Sequence, residues 1–154
     1  MKEDRKQKER SACGLNAKEY LSQAYYLELQ VQSKLEQLER LKSLATRVNA
    51  SYDAPVVKHT RNTSSLEDTV IRITEAEEDL NRKIDALVGK KLEISGVIDR
   101  VENGIYRLVL EKRYLAFLPW DRIAAELRIT QRWLFESHRA ALREVEKILP
   151  EMEE

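Results

Sequence analysis

A run of aliphatic residues spaced alternately by four and three positions constrains the fold of this chain more than any other feature. Nine of its eleven positions carry Leu, Ile or Val, and Glu77 and Lys91 are the two exceptions. Such a spacing keeps one apolar stripe along one side of a helix and is typical of a coiled coil. The stripe consists of Leu66, Val70, Ile73, Glu77, Leu80, Ile84, Leu87, Lys91, Ile94, Ile98 and Val101.

A second amphipathic segment precedes this run. Residues 17–48 contain no Gly or Pro, and their Leu, Val and Ala residues recur at spacings of three, four and seven. We predict a helix of roughly thirty residues with Asn16 as its N-cap. Residues 49–64, which include Pro55, predict a loop. The two helices can fold back as an antiparallel hairpin, or pair between chains as a dimer or a four-helix bundle.

Composition supports an all-α fold. The chain has 154 residues, of which 35% are charged, and it contains 4 Gly and 3 Pro. This balance suits long solvated helices and leaves little material for sheet turns. We predict capping signals at Ser65, where the second long helix begins, and at Asn103-Gly104, where it ends. The predicted organisation is a disordered leader (1–16), a coiled-coil hairpin (17–102), a C-terminal domain (103–149) and an acidic tail (150–154).

Several functional classes receive no support from the sequence. Cys13 is the single cysteine, so a disulfide framework within the chain is excluded. No apolar run reaches the ~20 residues needed to span a bilayer, and the polar N-terminus does not resemble a secretory signal. His59 and His138 are far apart, without ligands at metal spacing. We therefore expect a cytoplasmic bacterial protein with no membrane association, no cofactor, no metal and no enzymatic activity.

The last fifty residues predict three shorter helices. The first covers residues 105–117, with Leu108, Val109 and Leu115 pointing inward. Pro119 opens the second over 120–127, and a turn at Arg128-Ile129 leads to Thr130, the N-cap of a helix over 131–149. A helix-turn-helix needs a small residue at the crossing point and aliphatic residues around it. This set is present as Ile123, Ala124, Leu127, Ile129 and Leu134.

The stretch from Arg107 to Leu149, RLVLEKRYLAFLPWDRIAAELRITQRWLFESHRAALREVEKIL, resembles region 4 of sigma-70-type factors. That module reads the −35 promoter element through a helix-turn-helix. Together with its coiled coil, the whole chain resembles phage and prophage proteins of Gram-positive bacteria with sigma-like C-termini, and the phage late-gene transcription regulators. Two positions depart from the pattern. Arg128 replaces the usual turn glycine, and Ser137 replaces an aliphatic residue, so that His138 or Leu142 must complete the core.

Candidate DNA-contacting residues follow from a helical projection and from the resemblance. With Leu134 as the buried reference, Arg132, Glu136, Arg139 and Arg143 project to the opposite side, about 140–180° away. The resemblance places Gln131, Arg132, Trp133, Phe135 and Glu136 near bases and phosphates. We expect base contacts from Arg132 and Glu136, and phosphate contacts from Arg139, Arg143, Arg113 and Arg122.

These assignments have structural alternatives. Arg132 and Glu136 can form an ion pair within the helix. For Trp133, burial against the neighbouring helix is favoured over stacking on a sugar or a thymine methyl, and we expect Phe135 and Trp120 in the core.

The leading hypothesis is a phage or prophage transcription regulator that binds double-stranded promoter DNA. Residues 105–149 carry nine basic and six acidic side chains, a modest excess that favours an anionic partner. RNA polymerase is a candidate second partner, and a homodimer through residues 17–102 is expected. Two alternatives remain open: a DNA-packaging protein similar to a phage small terminase subunit, and a coiled-coil adaptor that binds proteins.

Overall fold

The computed structural model describes residues 16–50 and 62–152, and this part of the chain is helical without any strand. A long helical hairpin is followed by shorter helices, which confirms the predicted all-α class. The helices are α1 (Ala17–Ala50), α2 (Asn62–Asp99), α3 (Gly104–Leu110), which continues as a π-helical turn (Glu111–Leu115), α4 (Trp120–Leu127) and α5 (Gln131–Met152). None of the described helices is long and apolar enough to cross a membrane.

The beginning of α1 follows the predicted cap. The side-chain Oδ1 of Asn16 accepts a hydrogen bond from the backbone N–H of Glu19 at 2.9 Å. This contact satisfies one of the unpaired donors of the first helical turn. The predicted start of α2 is wrong by four residues: an N-cap at Ser65 would begin the helix at Leu66, whereas α2 begins at Asn62 and already includes Ser65. The predicted leader with Cys13, and most of the predicted loop, lie outside the described residues.

The prediction that Asn103-Gly104 caps the end of α2 is wrong. Helix α2 ends at Asp99, and Asn103 is the N-cap of α3. Its Oδ1 accepts hydrogen bonds from the backbone N–H groups of Ile105, at 2.9 Å, and Tyr106, at 3.3 Å. An Asn side chain satisfies the free donors at a helix start, whereas Gly104 simply occupies the first helical position.

Two compact units divide the chain. The first, which we call the head, comprises residues 16–26 and 89–152 of the described chain. The second, the arm, comprises residues 27–88. The base of the hairpin therefore groups with the C-terminal helices, although the sequence suggested a boundary at residue 103.

Contacts within the head join its two segments of chain, residues 16–26 and residues 89–152. The Tyr20 hydroxyl donates to Glu93 Oε1 at 2.8 Å, and Lys90 Nζ lies 2.8 Å from Glu93 Oε2. The hydrogen bonds from Lys90 and Tyr20 lower the pKa of Glu93, while burial and this carboxylate raise the pKa of Tyr20. Apolar side chains of both segments are fully buried in the head: Leu21, Ala24, Ile94, Val97, Ile98, Val101 and Leu110.

The arm has a thinner core. Ion pairs between α1 and α2 show that the two helices run antiparallel: Lys34 Nζ lies 3.4 Å from Asp79, and Lys42 Nζ lies 2.8 Å from Glu77. Glu77, one of the two exceptions in the apolar stripe, therefore has a partner on α1. Among the described arm residues, the buried apolar side chains are Leu38, Leu80 and Leu87.

Three further predictions need correction. Helix α5 continues through Pro150 to Met152, so the proposed acidic tail begins inside a helix. Leu108, expected to point inward on α3, is 43% exposed, and the buried side chains of α3 are Val109 and Leu110. The helix expected over residues 105–117 changes at Glu111 into the π-helical turn, which widens the turn and rotates the positions after it.

Candidate nucleic-acid interface

Helices α4 and α5 are joined by a tight turn. Arg128 adopts the left-handed conformation, with φ 54° and ψ 45°, which glycine usually supplies. The N–H of Ile129 donates to the carbonyl of Ala124 at 3.1 Å, closing the end of α4. Thr130 Oγ1 then accepts from the N–H of Trp133 at 3.2 Å, which confirms Thr130 as the N-cap of α5. A left-handed arginine costs on the order of 1 kcal/mol, which the surrounding packing must offset.

A small apolar core fixes this helix pair. Val109 from α3, Ile123 and Ala124 from α4, and Leu134 from α5 are buried together. Four partly buried side chains pack against them: Leu118, Trp120, Leu127 and Ile129. All five core positions expected from the sequence are thus in or against the core. Trp120 has the packing role that was expected for it.

A buried polar pair lies beside this core. The Tyr114 hydroxyl and His138 Nε2 are 2.7 Å apart, and the Trp120 ring meets the imidazole edge-on at a centroid distance of 4.7 Å. Burial raises the pKa of Tyr114 to about 12. Burial, reinforced by the positive charges of Lys18 and Arg113, lowers the pKa of His138 to about 4. Both groups are therefore neutral near pH 7, and His138 is buried on the same side of α5 as Ser137.

The arginine and lysine of the π-helical turn are held against α4. Arg113 Nη1 donates to the Leu118 carbonyl at 3.1 Å, and its guanidinium lies 4.4 Å from the Trp120 ring centroid. Lys112 Nζ contacts Glu126, which also binds Arg122 at 3.0 Å. These two hydrogen bonds lower the pKa of Glu126. Of the two phosphate-binding candidates in this part of the chain, Arg113 is engaged in packing and Arg122 in a surface ion pair.

The outward side of α5 carries most of the other candidates. It lies opposite the buried residues Leu134, Ser137, His138, Ala141 and Val145. The side chain of Arg132 is 90% exposed and pairs with Glu136 at 3.3 Å, the ion pair anticipated as an alternative role. Arg139 and Arg143 are exposed, and within residues 16–50 and 62–152 no carboxylate pairs with either of them. Lys147 continues this row at the next helical turn and was missed, although its i+4 spacing from Arg143 could have revealed it.

The N-terminal turn of α5 presents an amide and an indole. The side-chain Nε2 of Gln131 donates to Asp121 Oδ1 in the first turn of α4. Trp133 is 43% exposed, so the expectation that it packs against a neighbouring helix is not met. Phe135 was expected in the core, yet it is 37% exposed and meets Trp120 edge-on at 5.3 Å. Gln131 and Trp133 are thus on the surface beside Arg132.

The described part of the chain contains no candidate metal-binding site. No group of three or more His, Cys, Asp or Glu side chains there could hold an ion. His138 contacts a tyrosine and a tryptophan, and His59 lies outside the described residues.

Fold and surface together define an all-helical protein with a long hairpin and a compact C-terminal helix pair that exposes a basic row. The chain belongs to the family described as "Protein of unknown function (DUF1492)", whose model matches residues 54–146, more than half of the chain. The match extends from just before α2 into α5 and does not include α1. No curated protein and no solved structure matches the sequence.

Proposed function

We propose that this protein is a DNA-binding transcription regulator that contacts double-stranded promoter DNA with the exposed side of α5. The outward row of Arg132, Arg139 and Arg143 is the observation that carries the proposal. Its basic side chains lie on a helix whose other side is held by a rigid apolar core, which suits insertion into a major groove. The resemblance of residues 107–149 to sigma-70 region 4 supports the same role and favours a phage or prophage origin.

The contacts of each side chain suggest its role on DNA. Arg139 and Arg143 pair with no carboxylate among residues 16–50 and 62–152, so they can approach phosphates without losing an ion pair to that part of the chain. Arg132 must exchange Glu136 for a base, a small loss because such exposed helical pairs contribute about 0.2–0.5 kcal/mol. Exposed Trp133 can contact a thymine methyl or a sugar beside it.

A direct titration tests the proposal. Fluorescently labelled duplexes from the neighbourhood of the gene are titrated with the full chain at roughly 50 and 200 mM salt, because phosphate contacts make affinity fall steeply with salt. We expect saturable binding to one fragment. Arg132→Ala should weaken that binding by about 1–3 kcal/mol, whereas Arg139→Ala should weaken all fragments similarly and reduce the salt slope by about 1.

Arg72→Ala provides the matched control. Arg72 is an exposed arginine on α2 in the arm, so its removal lowers the net charge equally but should leave DNA affinity unchanged. If Arg72→Ala and Arg139→Ala lowered the DNA affinity equally, binding would result from unspecific charge attraction. The exposed side of α5 would then not be the DNA-binding surface. Absence of saturable binding at low salt would contradict direct DNA binding, and RNA polymerase would then be the first protein partner to assay.

A further inference from the structure

A hydrogen bond between two side chains joins the starts of α4 and α5 on the surface of the head. Gln131 is the first residue of α5, and its Nε2 donates to Oδ1 of Asp121 in the first turn of α4. Both residues are exposed, and no basic side chain among residues 16–50 and 62–152 pairs with Asp121. The contact therefore lies beside Arg132, at the candidate interface.

A carboxylate at this place needs an explanation. A DNA duplex carries a dense negative charge, so its phosphates would repel Asp121. The first turn of a helix favours an acidic side chain through the helix dipole, which accounts for Asp121 as a purely structural residue. The hydrogen bond to Gln131 indicates a second role, because it acts on a side chain of the candidate interface.

The chemistry of the contact determines which end of the Gln131 amide faces Asp121. A carboxylate accepts hydrogen bonds, whereas a glutamine amide has one accepting oxygen and an NH2 group with two donors. The NH2 group must therefore face Asp121, and the accepting Oε1 must be directed away from it. Because the contact uses one N–H of Gln131, the other N–H and Oε1 remain for a second partner.

This remaining donor and acceptor match the major-groove edge of adenine. Adenine presents the acceptor N7 beside its N6 amino group, and a glutamine amide can bind both at once. Guanine presents two acceptors, N7 and O6, so it would leave Oε1 of Gln131 facing another acceptor. Residues at the start of a helix that enters the major groove are the ones that reach base edges, and Gln131 has this position.

We propose that Gln131 selects an adenine base and that Asp121 is the positioning residue that holds its amide in the required orientation. This role rests on the proposed function, because it requires the start of α5 to enter the major groove. The terminal torsion of a free glutamine side chain is broad, so its amide can present either end to a base. The contact with Asp121 restricts this freedom before DNA binds, which lowers the entropic cost of recognition.

Selection from a library of duplexes with a randomised segment tests this assignment. The full chain is bound to the library at roughly 50 mM salt, where phosphate contacts are strong, and the retained duplexes are sequenced. We expect adenine to be favoured over guanine at one position by about 10-fold, the usual order for a bidentate pair. Gln131→Ala should lose this preference at that position alone and keep the preferences at the other positions.

Two variants of Asp121 separate positioning from a structural role. Asp121→Ala should lower the same adenine preference by about 2-fold to 10-fold, because the amide is no longer held. Asp121→Asn keeps an accepting oxygen at the same place and should retain most of the preference. The readout is a ratio between bases at one position, which a general loss of stability would not change, and circular dichroism checks the helix content of each variant.

Glu146→Ala is the matched control. It removes another exposed carboxylate of α5, about 22 Å further along the helix, and should leave the adenine preference unchanged. If Gln131→Ala keeps the preference, or if Asp121→Ala behaves like Glu146→Ala, the inference is overturned while DNA binding stands. If the unchanged chain retains no duplex, the proposed function fails and this role of Gln131 fails with it.

Discussion

The head and the arm use the same repeating pattern with different results. Helix α2 carries the heptad stripe through both units, yet Ile94 and Ile98 in the head are fully buried while Val70 in the arm is 53% exposed. In the head, α3, α4 and α5 add further apolar side chains, whereas the arm has two helices. A heptad pattern therefore indicates which side of a helix is apolar, but not how many neighbours will cover it.

Polar groups differ in the same way between the two units. The head buries Tyr114 and His138 as a hydrogen-bonded pair, and no described side-chain polar atom of the chain is buried without a partner. The arm has its polar contacts at the surface, as exposed ion pairs. Buried polar pairs make stability sensitive to single substitutions, whereas exposed pairs contribute little. The head is thus the more specific structure, and the arm the more tolerant one.

The largest expected effect follows from truncating one buried leucine in each unit. Leu134→Ala should destabilise the head by about 2–5 kcal/mol, because the removed methyl groups leave a cavity in a closed core. Leu38→Ala in the thinner arm core should cost less. Both tryptophans, Trp120 and Trp133, are in the head, so urea unfolding followed by fluorescence reports on that unit, while circular dichroism reports on all helices.

We expect Leu134→Ala to lower the fluorescence midpoint and Leu38→Ala to affect mainly the circular dichroism signal. If the fluorescence and circular dichroism midpoints shift together in both variants, head and arm unfold as one cooperative unit. The two units would then differ in their cores but not in their stability.

An intermediate effect should appear with pH, because burial lowers the pKa of His138 to about 4 in the folded head. An unfolded histidine has a pKa of about 6.5, so between these values the unfolded chain binds a proton that the folded chain does not. The free energy of unfolding is therefore highest above about pH 6.5 and falls by up to about 3 kcal/mol as pH decreases towards 4. Urea titrations at stepped pH values measure this slope.

In the variant His138→Gln, the free energy of unfolding should depend less steeply on pH than in the unchanged chain. The carboxylates titrate in both proteins, so the difference between the two slopes reports on His138. His59→Gln, which removes the other histidine, is the control and should retain the slope. If the two variants behave alike, the acid sensitivity does not come from the Tyr114–His138 pair.

The smallest expected effect concerns the arm. The Lys42–Glu77 pair is about half exposed on both sides, and such pairs contribute roughly 0–1 kcal/mol. A double-mutant cycle with Lys42→Gln and Glu77→Gln should therefore give a coupling energy below about 1 kcal/mol, decreasing with salt. A larger, salt-insensitive coupling would show that the pair is shielded from water in solution, and would make the arm more like the head.

Local signals explain which parts of the fold could be predicted. Asn16 and Thr130 were correctly assigned as N-caps because a cap depends on a side chain and the three residues after it. The turn at Arg128-Ile129 was predicted between two helices, and the resemblance to sigma-70 region 4 identified Arg128 as the residue at the usual glycine position. The core of α4 and α5 followed from the same spacing. Each of these inferences needs only a few neighbouring residues.

Features that depend on tertiary contacts could not be predicted. The Tyr114–His138 pair joins residues 24 positions apart, and the π-helical turn rotates the positions from Glu111 onward relative to a regular α-helix. Asn103 was assigned to the wrong helix because an Asn-Gly pair suits both a helix end and a helix start. At the candidate interface, the outward row was predicted, but the engagement of Arg113 with Trp120 was not, since it requires α3 and α4 to be packed together.

The grouping of the hairpin base with the C-terminal helices has a consequence for how such chains can vary. Because residues 16–26 and 89–99 belong to the head, a piece beginning at Asn103 would lack part of its own core. The arm, in contrast, forms a compact unit of its own, so a change in its length need not alter the residues of the head. Adding or removing seven residues in α1 together with seven in α2 preserves the apolar register, whereas a change in one helix alone does not. Arm length is therefore a quantity that evolution or protein engineering can adjust in whole heptads while leaving the head intact.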